Sequence, residues 1–165
     1  MKTREREEQL LTVGWREWLA LPKLGIPAIK AKLDTGARTS ALHTFAIEPF
    51  ETKGRIRVRF GIHPLQKRRD IELFCTAEVF DRRVVTDSGG HRELRYVIRT
   101  PVSLGNRVWP IEITLSNRDT MMFRMLLGRS AMQEGFLIAP HSSYLTGRLL
   151  AKSYKTLKKD TRIRS

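Results

Sequence analysis

A single cysteine, Cys75, stands among 165 residues. One thiol cannot close an internal disulfide or build a multi-cysteine zinc site, and it suits a reducing compartment. In Ile71-Glu72-Leu73-Phe74-Cys75 it reads as a small buried hydrophobe. Acids are also scarce, with Asp+Glu at 17 against Lys+Arg at 31 and a net charge of +14. Such a chain is not indifferent to polyanions, and nucleic acid, anionic lipid and acidic peptide are the partner classes to weigh. No apolar run approaches the ~20 residues of a spanning helix, so a membrane is not expected. The opening Met1-Lys2-Thr3-Arg4-Glu5-Arg6-Glu7-Glu8 lacks the apolar stretch of a secretory signal, and a cytoplasmic location is the expectation. Repeats and low-complexity segments are absent, and the length suits one domain.

Helical periodicity is scarce too, and alternation takes its place. Val13, Trp15, Trp18 and Leu21 form a bulky extended segment, and Lys23-Leu24-Gly25 is a turn signal. Ile29, Ala31 and Leu33 then alternate with lysines as in a half-buried strand. The same pattern returns in Ile56-Arg57-Val58-Arg59-Phe60 and in 107–115, where Val108, Ile111, Ile113 and Leu115 are read as the apolar side. Val84-Val85-Thr86 and Leu94-Arg95-Tyr96-Val97-Ile98 flank Asp87-Ser88-Gly89-Gly90-His91, which predicts a hairpin with a mobile tip. Helix is expected over 129–134, capped by Gly135, and within 142–159, and 1–9 reads as a short polar helix or a frayed arm. The fold class is all-β. The expected organisation is a polar arm over 1–12, one domain over 13–140 and a basic helix or tail over 141–165.

Leu33-Asp34-Thr35-Gly36-Ala37 ends an apolar strand with an acid, a hydroxyl and a glycine that can turn freely. This resembles the Asp-Thr-Gly signature of aspartic proteases. Phe123-Arg124-Met125-Leu126-Leu127-Gly128-Arg129 looks like the second landmark of retropepsins, and the glycine-tipped hairpin lies between the two, in retropepsin order. The longer run from Lys32 to His43, together with 122–129, closely resembles the bacterial retropepsin-like endopeptidases labelled putative ATP-dependent zinc proteases.

The resemblance implies a closed β-barrel with a short helix after Leu127-Gly128-Arg129, working as a homodimer with one catalytic Asp34 per chain. Thr35 would lock the two loops across the axis, and Gly36 would let substrate approach. Ser88, Gly89 and Gly90 would close over a peptide bound beside Ala37 and Arg38. Viral retropepsins carry an acid where this chain has Arg38, so Arg129 must find another partner, for which Glu93 and Glu112 are candidates. Arg38 itself reads either as a cation for a substrate carboxylate or as a solvated loop residue. The zinc and nucleotide of the label find no support: His43, His63, His91 and His141 are scattered, and His-Glu-x-x-His and a phosphate loop are both missing. No metal or cofactor is therefore expected. Trp15, Trp18 and Trp109 read as barrel core rather than as nucleic-acid stacking platforms. Members of the family are associated with a ligase that adds glutamates to a ribosomal protein, so the expected substrate is a glutamate-rich peptide or tail. The alternative from another class is a non-catalytic basic barrel that binds ribosome or RNA.

Overall fold

A computed structural model describes residues 10–154, apart from 88, 119, 120, 133 and 134. The polar arm of 1–9 and the basic residues of 155–165 lie outside the described residues. Eleven strands make up most of the fold: β1 (Leu11–Leu21), β2 (Ile26–Asp34), β3 (Ser40–His43), β4 (Ala46–Thr52), β5 (Arg55–Ile62), β6 (Leu73–Glu78), β7 (Asp81–Thr86), β8 (Arg92–Leu104), β9 (Arg107–Ser116), β10 (Met125–Gly128) and β11 (Phe136–Ser143). Among the described residues the one α-helix, α1 (Arg129–Met132), follows β10, where the Leu-Leu-Gly-Arg motif put it. Among the described residues no helix is long and apolar enough to cross a membrane.

The larger sheet runs β11-β1-β2-β10-β3-β9-β8-β7, and Ala20 of β1 also meets Ser103 of β8. That pairing joins β1, β2, β10, β3, β9 and β8 into a closed six-stranded barrel, which leaves these strands no free edge. β4, β5 and β6 form a separate antiparallel sheet. Its inward side chains Val58, Phe60, Ile62 and Cys75 join Leu19, Ile29, Leu42, Ile98, Ile113 and Met125 in one core. Each large side chain so buried contributes roughly 1.5–3 kcal/mol. Burial pushes the Cys75 thiol up to about 12, so it is inert, as its apolar setting suggested.

Two expectations need correction. Val108 does not belong to the apolar side of β9: it is exposed, while Trp109 turns inward, packs on Phe136 and donates its indole N–H to the Ala131 carbonyl at 2.9 Å. The phase of alternation is set by Ile111, Ile113 and Leu115, and Val108 is out of step with them. Residues 142–143 are not helical either, because they end β11, and the described residues beyond them hold only a 3-10 turn at Leu149–Lys152. β11 lies parallel to β1 at the sheet edge. An edge strand tolerates Pro140, whose missing N–H breaks no ladder there, and that proline with the serines after it hides the strand from a reading of alternation.

Glu17 fixes this edge. It is fully buried, and its carboxylate accepts N–H bonds from Gly14 (2.7 Å), Leu145 (2.9 Å) and Thr146 (3.1 Å), and a hydroxyl bond from Thr146 (2.7 Å). The bond to Gly14 accompanies the register shift between Gly14 and Arg16, and a Cβ at Gly14 would strike the Ser142 carbonyl. Glu17→Ala strips the buried Gly14 N–H and the part-buried donors of Leu145 and Thr146 of their acceptor at once and is expected to cost on the order of 3 kcal/mol, read as a lowered urea midpoint. A loss below about 0.5 kcal/mol would mean that Glu17 does not hold this edge.

Candidate functional site

β10 threads between β2 and β3. It runs parallel to β2, with Leu127 beside Leu33 and Gly128 beside Asp34, and antiparallel to β3, with Leu126 beside Ala41. At Gly128 the chains approach so closely that a Cβ would lie 2.5 Å from the Thr39 carbonyl carbon. The Gly128 N–H is satisfied by the Ser40 hydroxyl at 3.0 Å, inside the barrel. Gly128 is therefore demanded by backbone contact.

The loop after β2 is pinned from the same side. Asp34 is half-buried, and its Oδ1 accepts the Gly36 N–H at 2.9 Å, while the Asp34 carbonyl accepts the Ala37 N–H at 3.3 Å. Arg129 donates its guanidinium to the Thr35 carbonyl at 3.1 Å and its backbone N–H to the Ala37 carbonyl at 2.7 Å. Ser130 N–H reaches the Arg38 carbonyl at 3.0 Å. Thr35, Gly36 and Arg38 are exposed. The expected acid partner of Arg129 is thus replaced by a backbone carbonyl: Glu112 pairs with Arg83 at 2.8 Å and Glu93 with Arg95 at 3.0 Å.

β7 and β8 form the expected hairpin, pairing from Asp81 with Val97 to Thr86 with Arg92. Ser88 lies outside the described residues, but Gly89 and Gly90 sit at the tip, with Gly90 at a φ of 82° that favours glycine. Asp87 organises this tip. Its Oδ1 accepts the N–H groups of Gly89 and His91, both at 2.9 Å, and its Oδ2 takes the Arg118 guanidinium at 2.7 Å. The Arg118 bond and the His91 N–H hold the Asp87 carboxyl down at about 2. Asp87 therefore favours the folded tip above its ordinary range near 4, and that contribution is lost as pH falls through about 2.

Beneath the hairpin, His43 is buried at the end of β3, with Nδ1 3.2 Å from the Ser116 hydroxyl. Burial first, then the charges of Arg95, Arg118 and Arg124, lower its pKa to about 4. Sequence reasoning missed the roles of Ser40, His43 and Arg118, whose partners are distant in the chain. The Asp87 turn was signalled by Asp-Ser-Gly-Gly. His63 is also buried and stacks on Phe45, His91 is exposed at the tip, and His141 is exposed in β11.

A closed six-stranded barrel with Asp-Thr-Gly ending one strand, and a Leu-Leu-Gly-Arg strand threaded beside it, defines the retropepsin-like class. Residues 12–148 match the RimB-like family, described as retropepsin-like aspartic endopeptidase RimB, and the chain belongs to that family. A probable alpha-L-glutamate ligase of Shewanella pealeana is 48% identical over 135 residues, covering 82% of this chain and 30% of the ligase. One from Desulfotalea psychrophila is 46% identical over 154 residues, covering 91% of this chain and 33% of its own. The chain thus spans about a third of the length of these curated relatives. A crystal structure of a Legionella pneumophila protein of unknown function superposes with a TM-score of 0.66 at 26% identity, covering 82% of this chain and 97% of the other.

Two outcomes follow from this geometry. Gly128→Ala forces backbone apart where β10 meets β3 and is expected to destabilise by on the order of 1–3 kcal/mol or to prevent folding, measured by thermal melting. A neutral result would mean that the close approach relaxes freely. His43, neutral when folded, supports stability fully above its unfolded value near 6.5, and that support drains as pH falls towards about 4. At ~1.4 kcal/mol per unit the loss is on the order of 3 kcal/mol. His43→Asn should flatten the fall in stability between pH 7 and pH 4, and an unchanged slope would remove His43 as its cause.

Proposed function

We propose that the protein is an aspartic endopeptidase that acts as a homodimer, each chain lending Asp34 to one shared site, on acidic and glutamate-rich peptides or protein tails. The observation that carries this reading is a single half-buried Asp34 carboxylate, fixed by the Gly36 N–H on a loop that Arg129 and Ser130 hold from behind. Hydrolysis of a peptide by this chemistry takes two carboxylates that share one proton, and one Asp-Thr-Gly supplies one of them. Two-fold symmetry completes the pair. Two carboxylates at close range cannot both ionise cheaply, so the dyad titrates as a unit.

The ionised member takes a proton from water as the water oxygen attacks the carbonyl carbon. The protonated member gives its proton to the carbonyl oxygen. Collapse of the tetrahedral intermediate breaks the C–N bond: the proton taken from water passes to the amine nitrogen, and one hydroxyl of the diol returns its proton to the other carboxylate, which restores the dyad. Neither a metal nor a nucleotide enters these steps. Thr35 bonds across the axis, Gly36 admits the substrate backbone, and Ser88, Gly89 and Gly90 close over a peptide held at Ala37 and Arg38. The Asp87 anchor gives that flap a defined tip.

The substrate class is supported by the charge of +14 and by the relatives. These relatives are named probable alpha-L-glutamate ligases, and this chain matches about a third of their length. Similarity to proteins so named fits a glutamate-extended polypeptide, such as a tailed ribosomal protein, as the substrate. Charge attraction of this kind raises encounter rates and weakens with salt.

Asp34→Asn is expected to lower kcat/KM for a glutamate-rich peptide at least about a hundredfold with the circular dichroism unchanged. Wild-type chains refolded with excess Asp34→Asn should lose activity per wild-type chain, since mixed dimers carry one acid. Constant activity per wild-type chain would overturn the shared site. A chelator should leave the rate unchanged, and loss of cleavage restored by zinc would overturn the aspartic mechanism.

A further inference from the structure

Lys30, Lys32 and Asp34 alternate along β2 with the buried Ile29, Ala31 and Leu33. All three charged side chains therefore leave the barrel on its outer face, spaced by two residues, or roughly 7 Å. The register with β1 sets Arg16 opposite Lys32 and Trp18 opposite Lys30. Beside them Tyr144, at a φ of 55° and tied by its N–H to the Arg16 carbonyl at 3.0 Å, brings its ring among three cations. Arg148 lies 4.5 Å, Arg16 5.0 Å and Lys30 5.5 Å from the ring centroid. A non-glycine residue in this backbone region is strained, and here the strain places an aromatic face at the centre of a basic cluster.

The cations of this face are held without being neutralised. The Arg16 Nε donates to the Ser143 hydroxyl at 3.1 Å and the Lys30 ammonium to the Gln66 carbonyl oxygen at 3.0 Å, both uncharged acceptors. Among the described residues no acid pairs with Arg16, Lys30, Lys32 or Arg148, whereas Glu78, Asp81, Glu93 and Glu112 each hold a cation elsewhere. Glu17, the acid of β1, is buried under the sheet with its oxygens occupied by Gly14, Leu145 and Thr146. Aromatic faces steady a guanidinium or ammonium while leaving its N–H groups open to a carboxylate.

We infer that this face is a binding track for the acidic chain of the substrate, beginning at Lys32, two residues from Asp34, and continuing through Lys30 and Arg16 to Arg148 at Tyr144. The inference rests on the endopeptidase reading, which puts the scissile bond at Asp34. An extended glutamate chain repeats its same-side carboxylates about every 7 Å, the repeat that β2 presents. Lys30 lies four residues, or about 13 Å, along the strand from Asp34, so an acidic run must extend several residues past the scissile bond to fill the track.

The test uses the Asp34→Asn protein, which binds without cleaving, and fluorescent glutamate peptides of four and ten residues read by anisotropy. Lys30→Gln, Lys32→Gln and Arg148→Gln combined should weaken the ten-residue peptide at least about tenfold, and the four-residue peptide much less. The same loss of charge on the smaller sheet, Lys53→Gln with Arg57→Gln and Arg59→Gln, should weaken it about twofold at most. Lys30→Arg with Lys32→Arg and Arg148→Lys, which keep the charge and the fold, should restore affinity. Equal losses from the two neutralised sets would overturn the track. So would a neutralised track that loses a single-stranded ten-nucleotide RNA and keeps the peptide, because the face would then belong to nucleic acid. Cleavage by the wild-type protein is scored separately: failure to cleave with selective loss of binding refutes the endopeptidase and leaves an acidic-peptide site, while cleavage with equal losses refutes the track alone.

Discussion

The backbone of β10, driven between β2 and β3, is the constraint on which the rest depends. Only a residue without a side chain fits beside Thr39, and Gly128 fills that place with its N–H on Ser40. Once it is seated, Gly128 stands beside Asp34, and the next two residues donate to Thr35, Ala37 and Arg38. The same insertion supplies the strand that lets the sheet close as a barrel. A candidate carboxylate is thus positioned by backbone packing behind it. Sites held by rigid elements in this way can keep sub-ångström geometry.

Charge is distributed to match. The acids of the described strands are largely committed to local work: Glu17 caps backbone N–H groups, Asp87 builds the hairpin tip, and Glu93 and Glu112 pair with arginines of the same hairpin and its neighbour. The excess cations are left to face outward, around Tyr144 above all. Buried His43 stays neutral among three arginines, so it adds no positive charge beneath the hairpin at neutral pH. An acidic ligand therefore meets a field that few internal acids oppose.

Much of this was legible from the chain. Alternation marks β2, β5 and β9, a bulky extended run marks β1, the Gly-Gly tip marks the hairpin, and two short motifs locate both sides of the threaded loop. Residues whose meaning lies in contact between distant segments were not legible. Glu17 sits in Trp15-Arg16-Glu17-Trp18 like any strand charge, and its partners Leu145 and Thr146 are brought to it only by β11. β11 itself carries Pro140 and two serines, which an edge strand tolerates and a pattern reading rejects. The retropepsin resemblance, with its acid at the position of Arg38, makes an acid the expected partner of Arg129, while the loop offers the Thr35 carbonyl at no cost in further charge. Val108 shows the limit of counting apolar residues without fixing their phase.

In the proposed enzyme one site is made from two chains. A peptide carrying a hydroxyl isostere of the tetrahedral intermediate binds such a dyad tightly, because it matches the state the carboxylates stabilise. Titration calorimetry with that ligand measures the number of sites directly. One ligand for every two chains, abolished by Asp34→Asn, is the expected result, and a stoichiometry of one ligand per chain would contradict a shared site.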